Sequence, residues 1–199
     1  LKVPGDAREI ALSDFSVWER TYRSHKLRPE PILEFLVQWV HRNVPLNRTR
    51  ASLICSDSGQ FLFEGERVTA IIDLELATLG DPLADLAGMV SRDLSEPLGD
   101  LSRAFRKYQE LTGEQVDREA LDFHTVRFST ITPLAVAHLV AAPPAGLDLV
   151  QYLCWYSVWL RAPLEVIANR LGVSLDPVEV PEPRVSRYTT CLLYTSDAA

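Results

Sequence analysis

The stretch SDSGQFLFEGERVTAIIDLELATLGDPLADLA, residues 56–87, decides how this chain is read. Phe61-Leu62-Phe63 and Val68 through Ile72 are runs of strand-forming residues, and Glu64-Gly65-Glu66-Arg67 between them supplies a glycine-containing turn, so the pattern is a tight β-hairpin. Asp73 falls where the second strand ends. Gly80-Asp81-Pro82 then opens a helix, with Asp81 as N-cap and Pro82 as first helical residue, which gives Asp81 a structural role. Asp57, Gln60, Asp73 and Glu75 therefore cluster around a hairpin, and the question is whether they form a site.

Outward from the hairpin the spacing predicts helices. Leu12 to Lys26 carries apolar and aromatic residues at 15, 18 and 22, a helical spacing. RPEPILEFLVQWVHRNVP supplies proline at an early helical position, apolar residues at 32, 33, 35, 36, 39 and 40 for a wide buried face, and a stop at Pro45. A polar link, 47–52, leads to the short apolar segment Leu53-Ile54-Cys55. Downstream, 98–111 is strongly amphipathic and ends at Thr112-Gly113; 117–139 is a helix kinked or interrupted at Pro133. Pro143-Pro144-Ala145-Gly146 breaks the chain before a last apolar helix, 148–171, bent at Pro163 and ended by Gly172.

Composition sets outer bounds. The 199 residues, 47% hydrophobic and 24% charged, suffice for one core, and one domain is expected. A formal charge of -7 argues against a nucleic-acid binder, which needs a basic footprint. Cys55, Cys154 and Cys191 are odd in number and widely spaced, with no paired zinc or redox spacing, and fit a reducing cytoplasm. The longest apolar run, 149–160, is too short to span a bilayer at about 20 residues and reads as a buried helix, so no membrane association is expected. The four histidines, at 25, 41, 124 and 138, read as surface or core-edge residues. Trp155 and Trp159 read as core or as a pocket wall, and Cys154 as an inert packing residue. Met89 is the only methionine, so an upstream segment is expected; the last ten residues, TCLLYTSDAA, resemble translated sequencing adapter and are set apart from the lobe 1–189 as a non-native tail, 190–199.

The run from Asp57 through Gln60-Phe61-Leu62-Phe63, Arg67 to Glu75 and Gly80-Asp81-Pro82-Leu83-Ala84-Asp85-Leu86-Ala87 resembles the aminoglycoside phosphotransferase (APH) family of small-molecule kinases, in the branch found near acyl-CoA dehydrogenases. The resemblance is strong over about residues 18–89 and architectural from there to about residue 187. It implies an α+β, mainly α fold: the C-terminal lobe of a protein-kinase-like domain, with helices around a short catalytic β-hairpin. It also implies an ATP- and Mg2+-dependent phosphotransferase acting on a small-molecule hydroxyl. On these positions Asp73 would hold magnesium, Gln60 would be the neighbouring amide ligand, and Glu75 would assist directly or through water. Asp57 would steer the hydroxyl proton and Asp85 would tie its helix to the loop. No GxGxxG occurs in the sequence, so the nucleotide cradle is expected upstream and the 199-residue chain alone is expected to be inactive.

The loop departs from the family pattern of His-x-Asp with an asparagine five positions after the aspartate. Here Cys55-Ser56-Asp57 stands in that place, and Gln60, thirteen before Asp73, takes the amide position on a loop two residues shorter. Cys55 can pack but hardly hydrogen-bonds. Two alternatives therefore stay open beside the kinase: a nucleotide-binding pseudokinase, and a non-catalytic helical interaction domain. Substrate identity and oligomeric state are open as well.

Overall fold

The structure, a computed structural model, describes residues 3–94 and 97–175; the proline-rich stretch from 176, the proposed tail and Cys191 lie outside the described residues. Within them, helices α1 (Ala7–Leu12), α2 (Phe15–His25) and α3 (Pro31–Arg42) precede four short strands. The strands are β1 (Ser52–Ile54), β2 (Phe61–Glu64), β3 (Arg67–Ile71) and β4 (Thr78–Gly80). Four further helices follow: α4 (Leu83–Asp93), α5 (Leu101–Thr112), α6 (Arg118–Ala141) and α7 (Leu149–Leu171). The architecture is mainly helical with two small antiparallel sheets, as the α+β expectation has it.

Helix α6 is the axis. It buries residues all round its circumference, including Phe123, Val126, Ile131 and Leu134, and packs on α2, α3, α4 and α7. A helix apolar on every side belongs in the middle of a bundle, and each such side chain contributes about 1.5–3 kcal/mol of burial. One core joins α2, α3, α6 and α7; a second joins α4, α5 and the start of α6 around Leu83, Phe105 and Leu121. Even Arg127 on α6 is fully buried; its Nη1 donates to Asp14 Oδ1 at 2.8 Å and ties α6 to the start of α2. Pro133 and Pro163 sit inside α6 and α7 without interrupting either helix.

Several elements differ from the sequence expectation. The segment 12–26 is not one helix: α1 ends at Leu12 and Ser13 turns the chain with φ 44, after which α2 starts afresh. On α3 the buried stripe is Leu33, Leu36, Val37 and Val40, whereas Ile32 and Phe35 face outward, so the buried face is narrower than their apolarity suggests. Helix α5 begins at Leu101, where Asp100 caps it through the Arg103 N–H; Leu98 and Leu111 are exposed and Phe105 is its one buried residue. The apolar run 149–160 is not a buried helix: Val150, Leu153, Trp155 and Val158 on α7 are exposed. No described helix is long and apolar enough to cross a membrane.

Strands β1 and β4 pair Ser52 with Gly80 and Ile54 with Thr78, a ribbon that brings the end of the hairpin segment back to its beginning. Gly80 is needed there for space, because a Cβ would overlap Ser13 Oγ and crowd the Ile54 side chain. Strands β2 and β3 form the expected hairpin, with Gly65 at φ 59 in a two-residue turn, Glu64 paired with Arg67, and a bulge at Thr69. The helices do not surround this hairpin. Phe61, Leu62, Phe63, Val68 and Ile71 are all exposed, so apolar side chains stand on both of its faces.

Candidate active site

The hairpin does one thing for the site: it aligns its two ends. Ile72 N–H donates to the Gln60 carbonyl at 3.1 Å, continuing the ladder one step past β2 and β3, and this places Gln60 beside Asp73. Gln60 Nε2 then donates to Asp73 Oδ2 at 3.0 Å and reaches Asp57 Oδ2 at 3.4 Å. Asp73 itself holds φ 57 and ψ 52, the left-handed region that aspartate tolerates better than most residues. Its backbone turns the chain out of β3 into a single 3₁₀ turn, Leu74–Leu76, on which Glu75 lies. Asp73 and Glu75 are both exposed.

The near end of the site is a strained loop. Asp57 N–H bonds back to the Cys55 carbonyl at 2.7 Å around Ser56, which is fully buried at φ 62; such a three-residue turn is uncommon for a side-chain-bearing residue. Helix α4 holds this loop in place. Asp85 Oδ1 accepts the Cys55 N–H at 2.8 Å and the Ser56 N–H at 2.9 Å, and Ser58 Oγ donates to the Asp85 carbonyl. Burial pushes the Asp85 carboxyl up from its ordinary range, and the two N–H groups pull it partway back. Cys55 thus serves through its backbone, and burial pushes its thiol up, with the Asp85 charge adding to the rise. The expected tie between Asp85 and the loop is present in the geometry.

Arg92, two turns beyond Asp85 on α4, is a residue the sequence reading missed. Its Nε and Nη2 each donate to Asp57 at 2.6 Å, one to each oxygen, in a bidentate pair. Its position seven residues after Asp85, on the same helical face, was the available signal. Gly88 lies between them on that face and sits against the loop, since a Cβ there would overlap the Ser56 carbonyl.

Asp81 proves structural, although helix α4 starts one residue later than expected, with Pro82 in the cap position. The fully buried Asp81 carboxylate accepts Leu83 N–H at 3.0 Å and a fork from Arg48, Nε at 2.9 Å and Nη2 at 2.8 Å. Burial alone would raise its pKa, but Arg48 and His124 overcome that and hold it well below the carboxylate range. His124 is not at the core edge: it is fully buried, with Nε2 3.2 Å from Asp81 Oδ2 but off the line of a hydrogen bond. Burial foremost lowers the His124 pKa, with the Arg127 and Arg48 charges adding to the fall and Asp81 opposing it.

A cavity of about 610 Å3 opens beside the loop. Asp57, Glu75 and Arg92 are its charged lining residues, and Trp18, Phe128, Trp155 and Trp159 are its aromatic ones. Trp155 and Trp159 are thus a pocket wall, and Cys154 is an exposed residue of the same cavity, not a packed one.

Among the described residues no group of three or more His, Cys, Asp or Glu side chains is arranged to hold a metal ion. Magnesium does not ask for one. It takes one or two carboxylates and completes its shell with water and phosphate oxygens. The exposed Asp73 carboxylate beside a side-chain amide, with Glu75 two residues on, fits that sparse donor set.

Comparison with known proteins places the sequence in a family. The model of the phosphotransferase enzyme family matches residues 7–124. Acyl-CoA dehydrogenase family member 10 of Mus musculus is 36% identical over 74 residues, 35% of this chain and 7% of that protein. Acyl-CoA dehydrogenase family member 11 of Homo sapiens is 34% identical over 76 residues, 36% of this chain and 10% of that protein. The match thus takes in a tenth or less of those relatives' length. No solved structure matches the chain.

Proposed function

Because the chain belongs to the phosphotransferase enzyme family, we propose that it is the C-terminal, kinase-like lobe of an enzyme that transfers a phosphoryl group from ATP to a hydroxyl of a small molecule. The observation that carries the reading is the convergence of Gln60, Asp73 and Asp57 within one hydrogen-bonded chain, of which Asp57 lines the cavity. Phosphoryl transfer is mostly positioning and charge neutralisation, so few protein groups are needed. Asp73, with the Gln60 amide and Glu75 nearby, would hold magnesium, which neutralises charge on the phosphate oxygens when bound. Asp57 orients the acceptor hydroxyl and takes up its proton. The cavity's aromatic walls exclude water from the acceptor and favour one with a substantial apolar portion over a polycation, because the lining offers only two acids, one of them already paired with Arg92.

One observation favours a second reading, a nucleotide-binding pseudokinase: both oxygens of Asp57 are already engaged by Arg92. Screening the full-length protein with Mg·ATP against a panel of hydroxylated metabolites separates the two. Acceptor-dependent ADP release supports the kinase; nucleotide-induced thermal stabilisation without turnover supports the pseudokinase; neither response defeats both.

A further inference from the structure

Asp85, Gly88 and Arg92 occupy positions i, i+3 and i+7 of α4 and so share one face, and the loop 55–60 lies along it. Asp85 fixes the backbone before Asp57, and Gly88 leaves room for the Ser56 carbonyl. Neither touches the Asp57 carboxylate. Only Ser58 and Gly59 separate Asp57 from Gln60, and the Gln60 contact to Asp57 is long, at 3.4 Å. The carboxylate's orientation therefore depends on α4.

We propose that Arg92 is a positioning residue for phosphoryl transfer: its guanidinium fork orients Asp57 toward the acceptor hydroxyl. The inference rests on the phosphotransferase reading and deepens it. A bidentate arginine–carboxylate pair fixes direction as well as distance, which a lysine's point charge does not. A carboxylate has about four acceptor sites. Arg92 and Gln60 fill three of them in Asp57, leaving one for a hydroxyl. Gly59 supplies a second, independent sign that the arginine's path is built in: a Cβ there would stand 2.5 Å from Arg92 Cδ and 3.0 Å from its Nε. Gly59 is not in the left-handed region, so the space for Arg92, not backbone freedom, accounts for glycine there.

Two measurements on the full-length protein test this. In steady-state assays Arg92→Gln is expected to lower kcat about 100-fold with KM for ATP within about threefold, the loss that a misplaced catalytic group brings. Arg92→Lys regains part of it, and Gly59→Ala, which displaces the arginine without altering its charge, lowers kcat in the same direction. In an Asp57→Asn background Arg92→Gln costs less than about threefold more, because its effect passes through Asp57. In hydrogen exchange the amides of residues 56–60 open at least about tenfold faster in Arg92→Gln while those of α6 are unchanged. An equal kcat loss in the Asp57→Asn background, a KM-only effect, or unchanged loop exchange overturns the proposal. If the wild-type protein turns over nothing, the phosphotransferase reading falls with the catalytic half of this one, and the exchange result still decides whether Arg92 holds the loop.

Discussion

Replacing Asp81 by asparagine tests whether the most deeply buried acid of the signature stretch is structural. Asparagine keeps an oxygen for the Leu83 N–H, so the change removes the charge and leaves the start of α4 capped. It also strands Arg48, whose fork loses its carboxylate. Breaking one partner of a buried pair costs about 3–5 kcal/mol. Arg48 retains 17% of its side-chain exposure and can partly rehydrate, which places the cost at the lower end, about 3 kcal/mol. For a protein of this length that corresponds to a Tm about 6–12 °C lower. The assay is thermal unfolding followed by far-ultraviolet circular dichroism, on Asp81→Asn, Arg48→Met and the double variant. The double variant is expected to lose less than the sum of the two, since no buried charge is then left alone. A Tm within about 1 °C of wild type for Asp81→Asn, or additive losses in the double variant, would refute the structural role.

Further predictions follow from the same contacts. Gly88→Ala drives a methyl group into the Ser56 carbonyl and is expected to cost about 1–3 kcal/mol in urea unfolding and to lower activity by shifting the Asp57 loop; a variant as stable and active as wild type contradicts the packing. His124 has its pKa lowered by burial, so its stabilising contribution is full above the unfolded value near about 6.5 and is lost as pH falls below it, by up to about 1.4 kcal/mol per pH unit. Urea midpoints should fall between pH 7.5 and 5.5, by less in His124→Asn; a rise on acidification would mean that a charged His124 pairs with Asp81 instead. Asp81, with its pKa depressed, contributes stability above the unfolded carboxylate value near about 3.9, lost only under stronger acid.

What the sequence conveyed depended on whether the signal was local. The hairpin, Asp73 at its end, and the helix starts near Asp117 and Asp148 were legible because turn and breaker chemistry lies in adjacent residues. The ribbon of β1 and β4 was not, because three-residue strands paired across more than twenty positions carry no periodic signal. The break at Ser13 was hidden for the opposite reason: apolar spacing continued smoothly through it. Within the site, Gln60 and Asp73 were singled out by the family resemblance and do meet, whereas Arg92 and His124 act through contacts 35 and 43 residues away in sequence, at Asp57 and Asp81. Apolarity alone misjudged the run 149–160 of α7 as buried, where Val150, Leu153 and Val158 are exposed.

The central claim is that Asp73 holds the metal through which this lobe engages a nucleotide. Its most direct test is magnesium-dependent ATP turnover by the full-length protein, compared between wild type and Asp73→Ala. Asp73 is exposed and its side chain bonds only to Gln60 among the described contacts, so the variant should keep the wild-type Tm in the absence of nucleotide. The account predicts magnesium-dependent turnover in wild type, lost by about 1,000-fold or more in Asp73→Ala. Equal turnover in the two proteins would contradict it.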